Sequence, residues 1–119
     1  MKPLLGLRTA FYRAEDVPAV RDWYSRALGV EPYFDQPFYV GYQVGGYELG
    51  LVPDVPLNTG GVAWGVAEIQ AAHAWFLSCG AVEVEAPHEV GGEIWFSSVR
   101  DPFGNVLGLL QNPHFVRGE

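Results

Sequence analysis

Apolar residues recur at helical spacing in two stretches of the chain. The first predicted helix follows Asp16 and ends at Gly29, and its apolar positions are Val17, Val20, Tyr24 and Leu28. The second runs from Glu68 to Cys79 and ends before Gly80, with apolar positions at Ile69, Ala72, Trp75 and Phe76. Each helix is therefore predicted to pack one face against a sheet.

Segments rich in β-branched and aromatic residues lie around each helix and predict strands. They cover residues 4–13, 31–35, 38–44 and 47–52 in the first half, and 61–67, 82–85, 93–100 and 106–110 in the second. Gly45-Gly46 predicts a two-residue hairpin turn, and Asp101 to Gly104 predicts a four-residue turn. Residues 86–92 are predicted to form a loop. Each half then has the order β-α-β-β-β.

The two halves also align in sequence. Asp16 to Tyr24 aligns without gaps with Glu68 to Phe76, and the Leu-Gly-Leu of 49–51 aligns with that of 107–109. We therefore predict an α+β fold built from two tandem βαβββ modules. Module 1 covers residues 4–53, the linker 54–60, and module 2 residues 61–111, all within one domain of residues 1–119.

Charge and composition exclude several classes of partner. The chain has 14 Asp and Glu against 7 Lys and Arg, for a net charge of −7. This argues against nucleic acid and against anionic membrane surfaces, since both require clustered positive charge. No stretch approaches the roughly 20 apolar residues that span a bilayer. The single cysteine, Cys79, is expected to be a packed residue. We expect a soluble, cytoplasmic protein.

Two motifs point to a known family. The first is Asp101-Pro102-Phe103-Gly104-Asn105 before the last strand, and the second is Trp23-Tyr24-Ser25-Arg26-Ala27-Leu28-Gly29 at the end of the first helix. With the module order, they resemble the vicinal oxygen chelate superfamily of glyoxalases, bleomycin-resistance proteins and extradiol dioxygenases. The resemblance covers almost the whole chain. It implies paired half-barrel sheets around a concave cavity, with helices on the outer face, and a homodimer.

The resemblance also identifies the positions that would bind metal. Metal-dependent members carry a His or Gln on the first strand of each module and a Glu on the last. The matching residues here are Thr9, Gly50, Gly61 and Gly108. None has an imidazole or carboxylate, whereas a divalent metal site needs about three or more N, O or S donors. The three histidines lie on unrelated elements. We predict no metal and no other cofactor.

Alternation along the strands predicts which residues line the cavity. Small residues there would leave volume for a ligand: Gly41, Gly50, Gly61, Ala63, Gly65 and Gly108. The predicted ligand-binding residues are Thr9, Phe11, Arg13, Tyr39, Gln43, Glu48, Trp95 and Ser97. Arg13 and Glu48 are the polar anchors, and Tyr39 and Trp95 are equivalent stacking surfaces. Alternatively, bulkier neighbours fill the space and Arg13 pairs with Glu48.

Three functions remain open from the sequence. The first is a metal-free binding protein that sequesters a small, partly aromatic or cationic compound, as the bleomycin-resistance branch does. The second is a diverged lyase or isomerase that uses Glu48 and Arg13 on a carbonyl or epoxide, with Glu48 a weak candidate for a general base. The third is partner binding through a dimer surface with a vestigial pocket. The acidic composition and missing metal ligands favour the first.

Overall fold

The computed structural model describes residues 1–116. The first half contains β1 (Thr9–Arg13), α1 (Val17–Leu28), β2 (Phe34–Gln36), β3 (Tyr39–Val44) and β4 (Tyr47–Val52). The second contains β5 (Ala63–Gly65), α2 (Ile69–Ser78), β6 (Val82–Gly91), β7 (Ile94–Arg100) and β8 (Val106–Gln111). Two compact units divide between Asn58 and Thr59, and we call them module 1 and module 2.

Each module is a four-stranded mixed sheet with one helix, which confirms the predicted α+β fold. The strand order is β1-β4-β3-β2 in module 1 and β5-β8-β7-β6 in module 2. In both, the first strand runs parallel to the last strand of the module, and the remaining pairs are antiparallel. Neither sheet closes on itself. We call the sheet face opposite each helix the open face.

The helix of module 1 begins and ends as predicted. The Asp16 carboxylate accepts a hydrogen bond from the Ala19 backbone N–H at 3.2 Å, which caps the first turn. Gly29 ends the helix with a φ of 72°, a left-handed conformation that glycine adopts without strain. The buried face of α1 packs on the sheet, where the Tyr24 and Tyr12 rings meet edge to face with centroids 5.8 Å apart.

The helix of module 2 differs from the prediction at two residues of its buried face, whereas the predicted positions Ala72 and Phe76 are half-buried. Ile69 is buried as expected, but Trp75 is 47% exposed and His73 is buried instead. His73 Nδ1 lies 2.9 Å from Ser97 Oγ, and its Nε2 lies 2.8 Å from Glu83 Oε1. These two partners satisfy both ring nitrogens, so His73 is a structural residue that joins α2 to the sheet. No helix among the described residues is long and apolar enough to cross a membrane.

Strands β1 and β6 differ most in length from the prediction, and β2 (Phe34–Gln36) and β5 (Ala63–Gly65) are shorter than the predicted 31–35 and 61–67. β1 begins at Thr9 rather than at residue 4, because its partner β4 begins at Tyr47 and the register sets Thr9 beside Glu48. β6 continues through the predicted loop 86–92 as far as Gly91. Its register shifts between Glu85 and His88, around Pro87. An edge strand tolerates proline at such an irregularity because no ladder hydrogen bond from its nitrogen is required.

The turn between β7 and β8 is one residue longer than predicted. Arg100 pairs with Val106, so five residues connect the strands rather than four. The buried Asp101 carboxylate organises this turn, accepting hydrogen bonds from the backbone N–H groups of Phe103 and Asn105 at 2.9 Å each. It also accepts one from Asn105 Nδ2 at 3.1 Å. The extra residue changes which side chains of β7 face the helix.

Candidate functional site

The open face of module 1 brings together the site residues predicted for this half of the chain. Thr9 lies beside Glu48 across β1 and β4, and Gln43 lies beside Glu48 across β3 and β4. Alternation from these pairs places the other predicted residues on the same face: Phe11, Arg13 and Tyr39. The two-residue turn at Gly45-Gly46 formed as predicted, and the register followed from it.

Glu48 is the centre of a hydrogen-bonded cluster on this face. Thr9 Oγ1 donates to Glu48 Oε1 at 2.6 Å, and the Tyr33 hydroxyl donates to Oε2. The Tyr39 hydroxyl is near enough to the same carboxylate to lower its pKa. We call these four residues, Thr9, Tyr33, Tyr39 and Glu48, the Glu48 cluster. The cluster joins strands β1, β3 and β4 with the segment before β2.

Partial burial and the hydrogen bonds of the cluster act on the pKa of Glu48 in opposite directions. Partial burial alone would raise the pKa of Glu48. The hydrogen bonds from Thr9, Tyr33 and Tyr39, together with the positive charge of Arg8, outweigh burial and hold the pKa below its ordinary value. Glu48 is therefore a stabilised anion whose affinity for a proton is reduced.

Both tyrosines have a pKa above the ordinary value, and Glu48 contributes to the increase in each. Burial is the largest cause that raises the pKa of Tyr39, followed by its hydrogen bonding to Glu48 and the negative charge there. For the exposed Tyr33, the hydrogen bond to Glu48 is the largest cause of the raised pKa. Both phenols therefore act as hydrogen-bond donors at neutral pH.

Two paired glycines accommodate the tyrosine rings. Gly41 and Gly50 lie opposite each other on β3 and β4. A Cβ on Gly41 would lie 2.7 Å from Tyr33 Cε1, and a Cβ on Gly50 would lie 2.7 Å from the Tyr39 hydroxyl. The prediction that these glycines leave volume for a ligand is therefore wrong. The alternative, in which bulkier neighbours occupy that volume, is correct at both positions.

Arg13 pairs with Glu15 and not with Glu48. Its Nη2 lies 3.1 Å from Glu15 Oε1, so Arg13 forms an ion pair at the end of β1. Within residues 1–116, the ion pairs formed by lysine and arginine side chains do not include Glu48. The Arg13–Glu48 pair, which the sequence left open as an alternative, does not form, and the Thr9 and Tyr33 hydroxyls bond the carboxylate instead.

Aromatic rings lie next to the Glu48 cluster. The Phe34 ring centroid lies 6.4 Å from that of Tyr33, 6.1 Å from Phe38 and 6.0 Å from Tyr39. We call these four residues the aromatic cluster. Tyr33 and Phe38 are each 65% exposed, and Phe34 is 38% exposed. Sequence analysis missed Tyr33, Phe34 and Phe38, although four aromatic residues within the seven positions 33–39 were a visible signal.

The two site residues predicted in module 2 do not lie on the open face of their own sheet. Ser98 pairs with Gly108, so Trp95 and Ser97 lie on the side that faces α2. Ser97 is fully buried and contacts His73. The five-residue turn causes this reversal, because a slip of one residue exchanges the two faces of a strand. Phe96, rather than Trp95, is the counterpart of Tyr39, since its Cε1 would lie 3.1 Å from a Cβ on Gly108.

Comparison with known proteins identifies the architecture. No family model matches the chain, and no curated protein matches it in sequence. A member of the glyoxalase/bleomycin resistance protein/dioxygenase superfamily from Sphaerobacter thermophilus matches in structure with a TM-score of 0.77 and 18% identity, over 92% of this chain and 98% of that one. Lactoylglutathione lyase from Agrobacterium tumefaciens matches with a TM-score of 0.73 and 19% identity, over 96% and 100%. The chain has the vicinal oxygen chelate fold.

A third similar structure is TioX from Micromonospora sp. ML1. It matches with a TM-score of 0.72 and 18% identity, over 89% of this chain and 98% of that one. The match confirms the fold that the Asp101 and Trp23 motifs indicated. At these identities the shared architecture carries no activity with it, because one fold supports many functions.

The residues at the metal positions of the vicinal oxygen chelate fold do not fit a metal ion. The Thr9 hydroxyl is already bonded to Glu48, and Gly50, Gly61 and Gly108 have no side chain. Among the residues that the structure describes, no group of three or more His, Cys, Asp and Glu could hold a metal ion. A divalent cation would lack the N, O or S donors that it requires at these positions.

A groove away from the Glu48 cluster lies at the start of α1. This groove has a volume of about 700 Å³, and its charged walls are Glu15, Asp16, Arg21 and Asp35. The Arg21 guanidinium lies 3.1 Å from Asp22 and 3.5 Å from Asp35, so its charge is compensated. None of the Glu48 cluster lines this groove. The cluster and the aromatic rings beside it remain the candidate site.

Proposed function

We propose that this protein is a metal-free binding protein for a small organic molecule, which binds on the open face of module 1. The observation that carries the proposal is the juxtaposition of the ionised Glu48 with exposed aromatic rings. Binding sites for small molecules combine apolar and aromatic surface with a few placed polar groups. The Glu48 cluster supplies the polar groups and the aromatic cluster supplies the flat surface.

The exposure of the aromatic rings supports a binding role. Phe11, Tyr33 and Phe38 are 49%, 65% and 65% exposed, although aromatic side chains gain most when they are buried. A ligand that stacks on these rings would remove them from water. The hydroxyl groups of Tyr33 and Tyr39 would then set its orientation beside Glu48.

Binding is better supported than the alternative of a diverged lyase or isomerase. A general base works best when its pKa lies near the working pH. The hydrogen bonds of the cluster lower the pKa of Glu48, which moves it away from that range. Arg13, the second residue of the enzymatic hypothesis, is engaged with Glu15.

Calorimetric titration of ligands into wild-type protein and a variant of the aromatic cluster tests the proposal. Metabolites and drug-like aromatics are first screened by thermal shift with a metal chelator present, and the hits are then titrated by calorimetry. Phe34→Leu removes the central ring but keeps an apolar side chain. We expect it to weaken binding by about two- to tenfold, which corresponds to the roughly 0.5–1.5 kcal/mol of a lost aromatic contact.

Phe115→Leu is the matched control, because Phe115 is 69% exposed and lies outside module 1. This variant should bind the hits with the wild-type affinity. The proposal is wrong if no compound stabilises the protein, if the chelator abolishes binding, or if Phe34→Leu and Phe115→Leu bind equally well. A change in the midpoint of thermal unfolding alone would not count as evidence of weaker binding, since Phe34→Leu also changes stability.

A further inference from the structure

The charge of Glu48 is not neutralised by the residues that hold it. Its donors, Thr9 and Tyr33, are neutral hydroxyl groups. Such donors stabilise the anion but leave its formal charge in place. Among the described residues, Glu48 forms no ion pair with a lysine or arginine side chain within 4.0 Å. Arg8 is close enough to act on Glu48 through its charge without forming such a pair.

The carboxylate also retains capacity for a further partner. Two carboxylate oxygens offer about four acceptor positions. Thr9 Oγ1 takes one on Oε1 and the Tyr33 hydroxyl takes one on Oε2, with Tyr39 directed at the same group. Since Tyr33 is 65% exposed, the Oε2 side of the cluster lies at the surface, where a ligand can approach.

The rings next to this anion are suited to positive charge. The π face of an aromatic ring carries partial negative charge and attracts cations, which is the basis of ammonium recognition by groups of aromatic rings. Phe34 and Tyr39 lie 6.0 Å apart between centroids, and Tyr39 also faces Glu48. The carboxylate and the rings therefore favour the same sign of ligand charge. The net charge of −7 favours the approach of a cation as well.

We infer that the ligand is an organic cation, a protonated amine or quaternary ammonium group carried on an apolar body. Its charged group would lie against Glu48 and its apolar body against Phe34. This inference rests on the proposed function, since it specifies the class of compound that the same site takes. It excludes carboxylates and phosphates, whose negative charge the Glu48 carboxylate would repel.

Three probes that share one ring but differ in charge test the inference. They are benzylammonium, benzyl alcohol and benzoate, titrated at neutral pH with binding followed by amide chemical shifts and calorimetry. We expect wild-type protein to bind benzylammonium about tenfold more tightly than benzyl alcohol, and benzoate more weakly than either. Added salt should reduce the preference for benzylammonium, because it screens the charge.

Glu48→Gln removes the charge while keeping the size of the side chain, so the preference for benzylammonium over benzyl alcohol should fall to near onefold. Glu68→Gln makes the same change in net charge at an exposed position whose side chain does not cap α2. It should keep the wild-type preference. Tyr33→Phe removes a neutral donor that orients the ligand but leaves the charge, so it should weaken the binding of benzylammonium and benzyl alcohol alike while the ratio of their affinities stays near that of wild type.

The possible outcomes separate the two proposals. Equal binding of the three probes at Phe34 and Tyr39 would overturn the cationic class but leave the proposed function intact. Tighter binding of benzoate would also overturn it. If none of the probes perturbs these residues and the wider screen also finds no ligand, the proposed function fails. If Glu48→Gln does not fold, loss of the cation preference in Tyr33→Phe would count against the inference.

Discussion

Gly50 and Gly108 hold equivalent positions in the two modules but have different neighbours. Phe11 pairs with Gly50 as Ala63 pairs with Gly108, so the registers of the two parallel strand pairs agree with the alignment of the halves. A Cβ on Gly50 would meet the end of the Tyr39 side chain, which can rotate away. A Cβ on Gly108 would lie 2.6 Å from the Val62 backbone oxygen, which is held in a hydrogen bond to the Gly108 N–H.

This difference predicts unequal effects of alanine at the two positions. Gly108→Ala should lower the free energy of unfolding by about 1–3 kcal/mol, because the backbone must shift to accept the methyl group. Gly50→Ala should cost less than about 1 kcal/mol, because a smaller unfolded-state entropy offsets part of the strain. It should instead displace the Tyr39 ring. Urea unfolding measures the free energies of unfolding of both variants, and the NMR resonances of the Tyr39 ring report its displacement in Gly50→Ala. Equal losses of unfolding free energy in the two variants would contradict the packing described.

The Glu48 cluster makes stability depend on pH in a defined direction. The pKa of Glu48 is lowered in the folded protein, so its contribution to stability is complete above the ordinary value of 4.5. That contribution is lost as the pH falls through the lower folded pKa. Urea unfolding of wild type and Glu48→Gln should therefore show the largest difference at neutral pH and a shrinking difference below about pH 4.5.

Removal of one donor should raise the pKa of Glu48. Thr9→Val replaces the hydroxyl with a methyl group of similar size and deletes the 2.6 Å hydrogen bond to Oε1. We expect a higher pKa for Glu48 in this variant, measured by following the side-chain carboxyl carbon in an NMR titration. Thr59→Val, at an exposed position outside the cluster, is the control. An unchanged pKa in Thr9→Val would show that Thr9 does not stabilise the anion.

At the scale of the elements, the two helices start at aligned residues but are capped differently. The Asp16 side chain accepts a hydrogen bond from the Ala19 N–H, whereas the Glu68 side chain makes no capping hydrogen bond. Asp16→Ala should therefore lower the free energy of unfolding by about 1 kcal/mol. Glu68→Ala should change it by less than about 0.5 kcal/mol, as for other exposed positions. Thermal and urea unfolding measure both variants, and equal losses of unfolding free energy in Asp16→Ala and Glu68→Ala would contradict the difference in capping.

At the scale of the whole molecule, exposed apolar side chains support the prediction of a homodimer. Leu4, Leu5 and Leu7 are 84–89% exposed before β1, and Trp75 and Leu77 are partly exposed on α2. Apolar surface of this kind indicates an interaction site when it is contiguous. We expect sedimentation velocity at micromolar concentration to give a species of twice the chain mass. A single species of monomer mass would contradict the prediction.

The element order, the bounds of α1 and the register of β3 against β4 followed from the sequence by itself. Each depends on short-range physics: the spacing of apolar residues, a capping side chain, and a glycine pair that permits only a tight turn. The likeness of the two halves followed for the same reason, because each half repeats these local signals. Once the resemblance had identified the four metal positions, the lack of metal donors there needed only residue identities.

Only the tertiary structure decided the composition of the site. The side chains of β7 face the opposite way from the prediction because Asp101 closes a five-residue turn instead of a four-residue one. One extra residue shifts the register of a strand by one and so exchanges its two faces. Tyr33 reaches Glu48 from 15 positions away and covers Gly41, and His73 is buried by partners on two strands. These contacts join residues that are distant in sequence. Their geometry depends on how the rings and strands pack together, which local propensity does not specify.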